Sequence, residues 1–304
     1  MASRIRYARL ATERANPASR ALDLLSPRAI AALMNREDLR AARAVGRVGV
    51  EIAAAVSVIV ASLRRDGRLF FAGAGTSGRL GVLEAAECPP TFGTPPRLVQ
   101  AIMAGGRAAV FSSREGAEDD EAAARRAVRA RVRRGDVVVG ISASGVTPFV
   151  RAALDLARKR GARTILISCN APGSGKALAH VRIVPVTGPE VLAGSTRLKA
   201  GTATKLVLNT LTTAAMTGLG RVYGNRMVDL QPRSTKLRER ALRLIAEVAG
   251  VSRGTALRAF EASGGRVRIA IVIARSGWAA ADASRALRGA GGSLRIVLQK
   301  LRRK

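Results

Sequence analysis

Arg68-Leu69-Phe70-Phe71-Ala72-Gly73-Ala74-Gly75-Thr76-Ser77-Gly78-Arg79-Leu80-Gly81 runs from four consecutive apolar residues into a glycine-rich loop and on into sequence with helical spacing. A short apolar run bounded by polar residues and glycine reads as a strand buried on both faces, and residues 79–87 read as the helix that follows it. Strand, tight loop and helix in this order open a βαβ unit. The pattern recurs. Residues 98–102, 137–141, 164–168 and 183–186 are further apolar runs, separated by helical stretches at 119–132, 148–160 and 174–180. This alternation predicts an α/β fold, a doubly wound parallel sheet of about five strands, with ligands held beyond the carboxyl ends of the strands.

Helix brackets the sheet on both sides. Ser26-Pro27 supplies an N-cap and a proline at the first helical position, so 27–34 is predicted helical. Val45, Val48, Ile52, Val56, Ile59 and Val60 recur at helical spacing and predict one amphipathic helix over 41–63, closed by Arg64-Arg65-Asp66-Gly67. After Gly201 the helical pattern returns over 205–219 and 235–248, then in shorter units broken at Gly250-Val251 and Gly264-Gly265. Residues 267–274 are rich in β-branched side chains, but no partner strand follows and 279–287 is helical, so they are read as helix. The expected organisation is an N-terminal helical segment over 1–50, a ligand-binding α/β domain over 51–225 and a C-terminal helical region over 226–304.

With 304 residues, 48% of them hydrophobic, the chain can bury a substantial core. Its 52 Lys and Arg against 21 Asp and Glu give a formal charge of +31, which raises the question of nucleic acid. The basic residues are spread along the whole chain, aromatics make up only 3%, and neither a zinc-finger spacing nor an RNA-recognition signature is present. No specific nucleic-acid partner is expected, although salt-dependent adhesion to polyanions is compatible with the charge. Two cysteines, Cys88 and Cys169, exclude a disulfide framework and fit a reducing compartment. Residues 1–20 carry scattered Arg and Glu, and no run reaches the roughly 20 apolar residues of a spanning helix. The expectation is a cytoplasmic protein without a membrane partner.

Two loops could carry chemistry. The first, Gly73 to Gly78, fits the G-x-G-x-x-G pattern, but a dinucleotide site also needs a carboxylate about 20 residues on, at the end of the next strand. That strand ends Ile102-Met103-Ala104-Gly105-Gly106, with none. What Gly75, Thr76, Ser77 and Arg79 do offer is backbone N–H groups, two hydroxyls and a helix N-terminus, suited to a phosphate or a sugar hydroxyl. The second is Ser142-Ala143-Ser144-Gly145-Val146-Thr147-Pro148, in which Ser142, Ser144 and Thr147 could cradle an anion, or could simply cap the next helix.

Glu87 and Glu118 stand near these loops, and a pair of carboxylates can divide acid and base work. Spacing alone does not single them out, because Glu115, Asp119 and Asp120 serve equally well to charge a helix N-terminus. The lone histidine, His180, reads as structural. Cys88 lacks a histidine partner for thiol chemistry, and two cysteines with one histidine make a poor zinc set, so a zinc site is not expected.

Taken together, Gly73-Ala74-Gly75-Thr76-Ser77-Gly78-Arg79-Leu80-Gly81 and Ala86-Glu87-Cys88-Pro89-Pro90-Thr91-Phe92-Gly93 resemble the signature of N-acetylmuramic acid 6-phosphate etherases. The likeness extends through Glu115 to Asp120, Gly188-Pro189-Glu190-Val191, the stretch from Gly194 to Thr202, Tyr223-Gly224-Asn225 and Met227-Val228-Asp229. Thr12-Glu13, Asn16, Ser19, Asp23 and Asn35-Arg36-Glu37-Asp38 follow in the family's order.

The resemblance implies a sugar isomerase (SIS) domain of flavodoxin-like topology, a homodimer, a sugar-phosphate substrate and a cofactor-free lyase. Such a lyase splits the lactyl ether of N-acetylmuramic acid 6-phosphate, giving N-acetylglucosamine 6-phosphate and D-lactate in cell-wall sugar recycling. It matches Glu87 to the family's proposed acid and Glu118 to its proposed base, gives the two loops the sugar and its phosphate, and makes Lys199 a neighbour of the substrate. Val146 stands where the family usually has Arg, Arg226 takes a usually apolar position, and Arg233-Ser234 replaces a usual Thr-Asn pair. The same fold also hosts non-catalytic sensors of the glucokinase regulatory protein type and phosphosugar isomerases.

Overall fold

The computed structural model describes residues 10–170, 179–232 and 234–302. The chain divides into two compact units, one of Met1–Ala85 with Arg97–Thr212 and one of Ala86–Pro96 with Thr213–Lys304.

The first unit opens with two helices, α1 (Pro27–Gly46) and α2 (Gly49–Leu63), bent by 60° at their junction. The expected single helix over 41–63 and its short predecessor are therefore corrected. One helix continues from Pro27 to Gly46, and the break falls between Gly46 and Gly49, where two glycines weaken the helix although the apolar spacing runs on through Val48. Ser26 caps α1 by accepting the Ala29 N–H, as its position before Pro27 predicts.

Strands and helices then alternate: β1 (Leu69–Gly73), α3 (Gly75–Phe92), β2 (Val99–Met103), the short α4 (Ala108–Phe111), α5 (Glu121–Arg131), β3 (Val137–Ile141), α6 (Pro148–Lys159), β4 (Arg163–Ile167), β5 (Val181–Ile183) and α7 (Lys199–Gly218). All five strands are parallel, in the order β2-β1-β3-β4-β5. That is the doubly wound, flavodoxin-like order anticipated above. Residues 174–178 of the expected helix 174–180 lie outside the described residues.

β1 and β3 are buried at every position because helices cover both faces, hence their unbroken apolar runs. Phe70, Ala72, Val138 and Leu166 point to the face covered by α5 and α6, packing with Val128, Phe149, Val150 and Leu154. Phe71 points the other way, and α3 comes so close that a Cβ at Gly81 would lie 2.8 Å from the Phe71 Cβ. At the amino ends of the strands, buried Asp136 accepts from the Arg68 and Arg133 backbone N–H groups and from the Arg68 guanidinium. There too His180 Nδ1 accepts the Thr164 N–H at 3.0 Å, a structural role for the lone histidine. Burial, and then the charges of Arg163 and Arg158, hold that imidazole below its ordinary pKa.

Among the described residues the regular structure of the second unit is helical apart from a hairpin of β6 (Val222–Tyr223) and β7 (Arg226–Met227), turning at Gly224-Asn225. It continues as α8 (Thr235–Ala249), α9 (Arg253–Ala262), α10 (Val267–Ser276), α11 (Ala280–Gly289) and α12 (Leu294–Arg302). α10 is helical as expected despite its β-branched residues. Ile269, Ala270, Ile271 and Val272 are buried in a core shared with Leu242, Ile245, Phe260 and Leu298, so packing outweighs propensity.

Candidate active site

The parallel order has a switch point between β1 and β3, where one connection turns outward to β2 and the next turns back toward β4. Both candidate loops leave the sheet there. The first follows β1 and becomes the first turn of α3, so the N–H groups of its opening residues have no partner within the helix. Gly78 is dictated by space. A Cβ there would stand 2.5 Å from the Gly73 carbonyl oxygen and 2.3 Å from Met103 Sδ, and only glycine lets the helix start against the strand end. The second loop follows β3. Ser142 is buried beneath it, its Oγ accepting the Gly145 N–H at 3.0 Å and lying 2.8 Å from Thr147 Oγ1 and 3.3 Å from Ser144 Oγ. Gly145 makes the turn at φ +78°. Thr147 is the N-cap residue of α6, yet its side chain makes no capping bond and turns to Ser142 instead, leaving the helix N-terminus open. Two helix N-termini and their hydroxyls thus share one corner of the sheet, an arrangement that binds anions.

A cleft of about 330 Å³ lies between the two loops. Gly75, Thr76 and Ser77 form one wall, Ser144, Val146 and Thr147 another, and Glu118 with Asp119 a third. Glu13, Gly194 and Thr196 close it. Among the described residues no Lys or Arg belongs to this lining, although the chain carries 52 of them. What the described lining offers an anion is hydroxyls and backbone N–H groups.

Glu118 occupies a one-turn 3₁₀ segment, Ala117–Asp119, entered through Gly116 at φ +74°, and its side chain is exposed. Its acidic neighbour Asp120 has a structural task, capping α5 by accepting the Ala123 N–H at 2.7 Å. The ambiguity among these acidic residues is thereby reduced: Asp120 caps a helix, while Glu118 and Asp119 face the cleft.

Two of the expected site residues, Arg79 and Lys199, are turned to other partners. Arg79 Nε donates to the Val110 carbonyl at 2.9 Å, and Arg79 is not among the lining residues. Lys199 is 2% exposed, its Nζ paired with Glu37, which also receives Asn16 Nδ2 at 2.9 Å. The N-terminus of α7 is capped by buried Glu190, which accepts the Lys199 and Ala200 N–H groups, both at 2.9 Å. Glu87 is exposed on the far part of α3 and belongs to the second unit. Within that unit the segment after it is held by Arg221, which donates to the Phe92 carbonyl at 2.9 Å and pairs with Asp229.

Glu13 has no assigned role in the sequence reading. It reaches the cleft because Thr12 beside it is buried and bonded to Asn170, a contact across 158 positions that no local pattern announces. The one available signal is that Thr12-Glu13 falls within the family's N-terminal motif. Both cysteines are buried, and burial pushes the Cys169 thiol up to about 12, so it is inert at neutral pH.

Comparison with known proteins bears on the fold and the family. The glucokinase regulatory protein N-terminal SIS domain model matches residues 51–158, and the SIS domain model matches 117–214. Among solved structures, the phosphoheptose isomerase GmhA from Neisseria gonorrhoeae superposes with a TM-score of 0.50 over 63% of this chain and 100% of its own, at 21% identity, a likeness of fold alone. Curated relatives are far more similar. The N-acetylmuramic acid 6-phosphate etherase of Synechocystis is 48% identical over 95% of each chain, and that of Geobacillus thermodenitrificans is 49% identical over 95% of this chain and 99% of its own. The enzyme of the same name from Gloeobacter violaceus is 50% identical over 97% of this chain and 96% of its own. At this identity, over essentially the whole length of both partners, the chain belongs to the N-acetylmuramic acid 6-phosphate etherase family.

Proposed function

We propose that this protein cleaves the lactyl ether of N-acetylmuramic acid 6-phosphate, releasing D-lactate and N-acetylglucosamine 6-phosphate. The observation that carries this is the position of Glu118, a carboxylate facing a cleft whose other walls are two hydroxyl-and-N–H cradles. In the open-chain sugar the aldehyde acidifies the proton on the adjacent carbon. Glu118 takes that proton, and the electron pair moves in to form a carbon–carbon double bond as the ether bond to lactate breaks. The departing oxygen receives a proton, for which the family resemblance assigns Glu87. Water then adds across the double bond, its hydroxyl to the carbon that lost lactate and its proton to the neighbouring carbon. The cradle around Ser142, Ser144 and Thr147 holds the phosphate, and Thr76 and Ser77 hold the sugar. Assembly as a homodimer in the cytoplasm belongs to the same reading, the latter supported by a cysteine content of two, both buried. Among the described residues no single helix is long and apolar enough to cross a membrane.

The test is release of D-lactate from N-acetylmuramic acid 6-phosphate by the purified protein, run in chelator because protein groups carry every step of the proposal. Binding without release would make the protein a sensor. Loss of release in chelator, restored by a divalent ion, would contradict the mechanism.

Val146 yields a second expected outcome, since it lines the cleft beside the phosphate cradle. Val146→Arg adds a guanidinium where none of the described residues places one, and one charge-assisted hydrogen bond should lower KM on the order of 10-fold with kcat little changed. An unchanged KM would show that the phosphate lies elsewhere.

A further inference from the structure

We propose that Glu13 is a specificity-determining residue, whose carboxylate accepts hydrogen bonds from the uncharged donors of the bound sugar, its hydroxyls or amide N–H. The inference rests on the phosphosugar reading of the cleft.

Glu13 lies at the end of the 3₁₀ turn Ala11–Glu13 and is exposed to the cleft. The residue before it is firmly held. Thr12 is fully buried, its N–H donates to Asn170 Oδ1 at 3.3 Å, and its carbonyl accepts the Gly194 N–H at 3.2 Å. Asn170 Nδ2 donates both to Thr12 Oγ1 at 3.2 Å and to the carbonyl of Ala143, inside the phosphate cradle, at 3.0 Å. One buried amide therefore ties the backbone that carries Glu13 to the loop proposed to hold the phosphate, fixing how far the carboxylate stands from the anion. Gly194, at φ +78°, passes close by, and a Cβ there would meet Glu13 Oε2 at 3.6 Å.

Charge decides what this carboxylate can bind. Among the described residues no Lys or Arg pairs with Glu13; its one side-chain partner is the Thr12 hydroxyl, which donates to Oε1 at 3.2 Å. An ionised carboxylate only accepts hydrogen bonds and repels a phosphate or a second carboxylate. The substrate's two anionic groups are therefore turned away from it, and its neutral donors are turned toward it. Glu13 reads the sugar, while the Ser142 cradle reads the phosphate.

The experiment is calorimetric titration of the full chain with N-acetylglucosamine 6-phosphate and, separately, with inorganic phosphate. Glu13→Ala should weaken the sugar phosphate on the order of 10- to 100-fold, as expected for a lost charge-assisted hydrogen bond, and leave inorganic phosphate unchanged. Glu13→Gln, of equal size, should lose less, and both variants should keep the wild-type melting temperature. Equal affinity of Glu13→Ala and wild type for the sugar phosphate overturns the inference. So does a parallel fall for both ligands, which would mean that Glu13 shapes the cleft as a whole. Failure of the wild type to bind the sugar phosphate at all overturns the underlying phosphosugar reading instead, and the inference falls with it.

Discussion

Glu118→Gln is expected to abolish two observables together, release of lactate and exchange of the substrate's acidic proton with deuterated solvent. Both need the carbanion-like species, and the amide cannot take the proton. The loss should be on the order of 10²- to 10⁴-fold, the usual contribution of a positioned base. Because Glu118 is exposed on a short turn and makes no hydrogen bond or ion pair among the described residues, the substitution should leave the fold intact, which circular dichroism checks. Glu87→Gln should behave differently. It should retain part of the proton exchange, and a substrate analogue with a better leaving group should recover much of its rate. Near wild-type lactate release by Glu118→Gln, or rescue of that variant alone by the better leaving group, would mean that the base has been misassigned.

The second large effect concerns stability. Lys199 and Glu37 are each 2% exposed at the side chain and are paired with one another. Removing one member leaves the other charge buried, which costs about 3–5 kcal/mol. Glu37→Gln should therefore shift urea unfolding strongly, whereas Glu37→Met combined with Lys199→Met should regain most of the loss. If the single variant unfolds within about 1 kcal/mol of wild type, the pair carries none of the stability that breaking a buried pair implies. The double variant also tests the role of Lys199. Lactate release close to wild type would show that it supports α7 without contacting substrate.

The same pair has a pH signature. Burial pushes Glu37 up, but the hydrogen bonds from Lys199 and Asn16 and the Lys199 charge outweigh it, so the carboxyl lies below its ordinary value of 4.5. A depressed folded value means that the contribution is fully present above about pH 4.5 and is lost as pH falls through the folded pKa. Glu37→Gln should flatten this part of the acid limb.

The central strands were legible because burial on both faces leaves no polar alternation to obscure them, and β3 lies at the positions read from the apolar run, whereas the edge strand β5, only partly buried, runs Val181–Ile183 instead of the expected 183–186. Helix ends were less legible where distant groups set them. α7 begins at Lys199, six residues before the apolar periodicity, because Glu190 caps it from outside the helix. α3 begins inside its glycine loop and continues through Pro89 and Pro90 to Phe92, beyond the expected 79–87 at both ends. In the cleft, the two hydroxyl loops could be found because each adjoins a strand end in sequence. Glu13 could not, since Asn170 seats it from across the fold. Lys199 was recognised as belonging to a motif, but sequence carries no measure of burial, and burial is what separates its pairing with Glu37 from contact with a ligand.

Among the described residues no basic side chain lines the cleft, in a chain of charge +31, and this separates the arrival of substrate from its retention. Long-range attraction between a cationic surface and a multiply charged anion acts on the rate of encounter and is screened within about 10 Å at 0.1 M salt. Hydroxyls and backbone dipoles, in contrast, act at contact distance and scarcely feel added ions. Raising ionic strength should therefore slow the arrival of substrate while leaving its residence time nearly constant. Capture and retention are assigned to different parts of the molecule, so drift in surface charge can retune the first without disturbing the second.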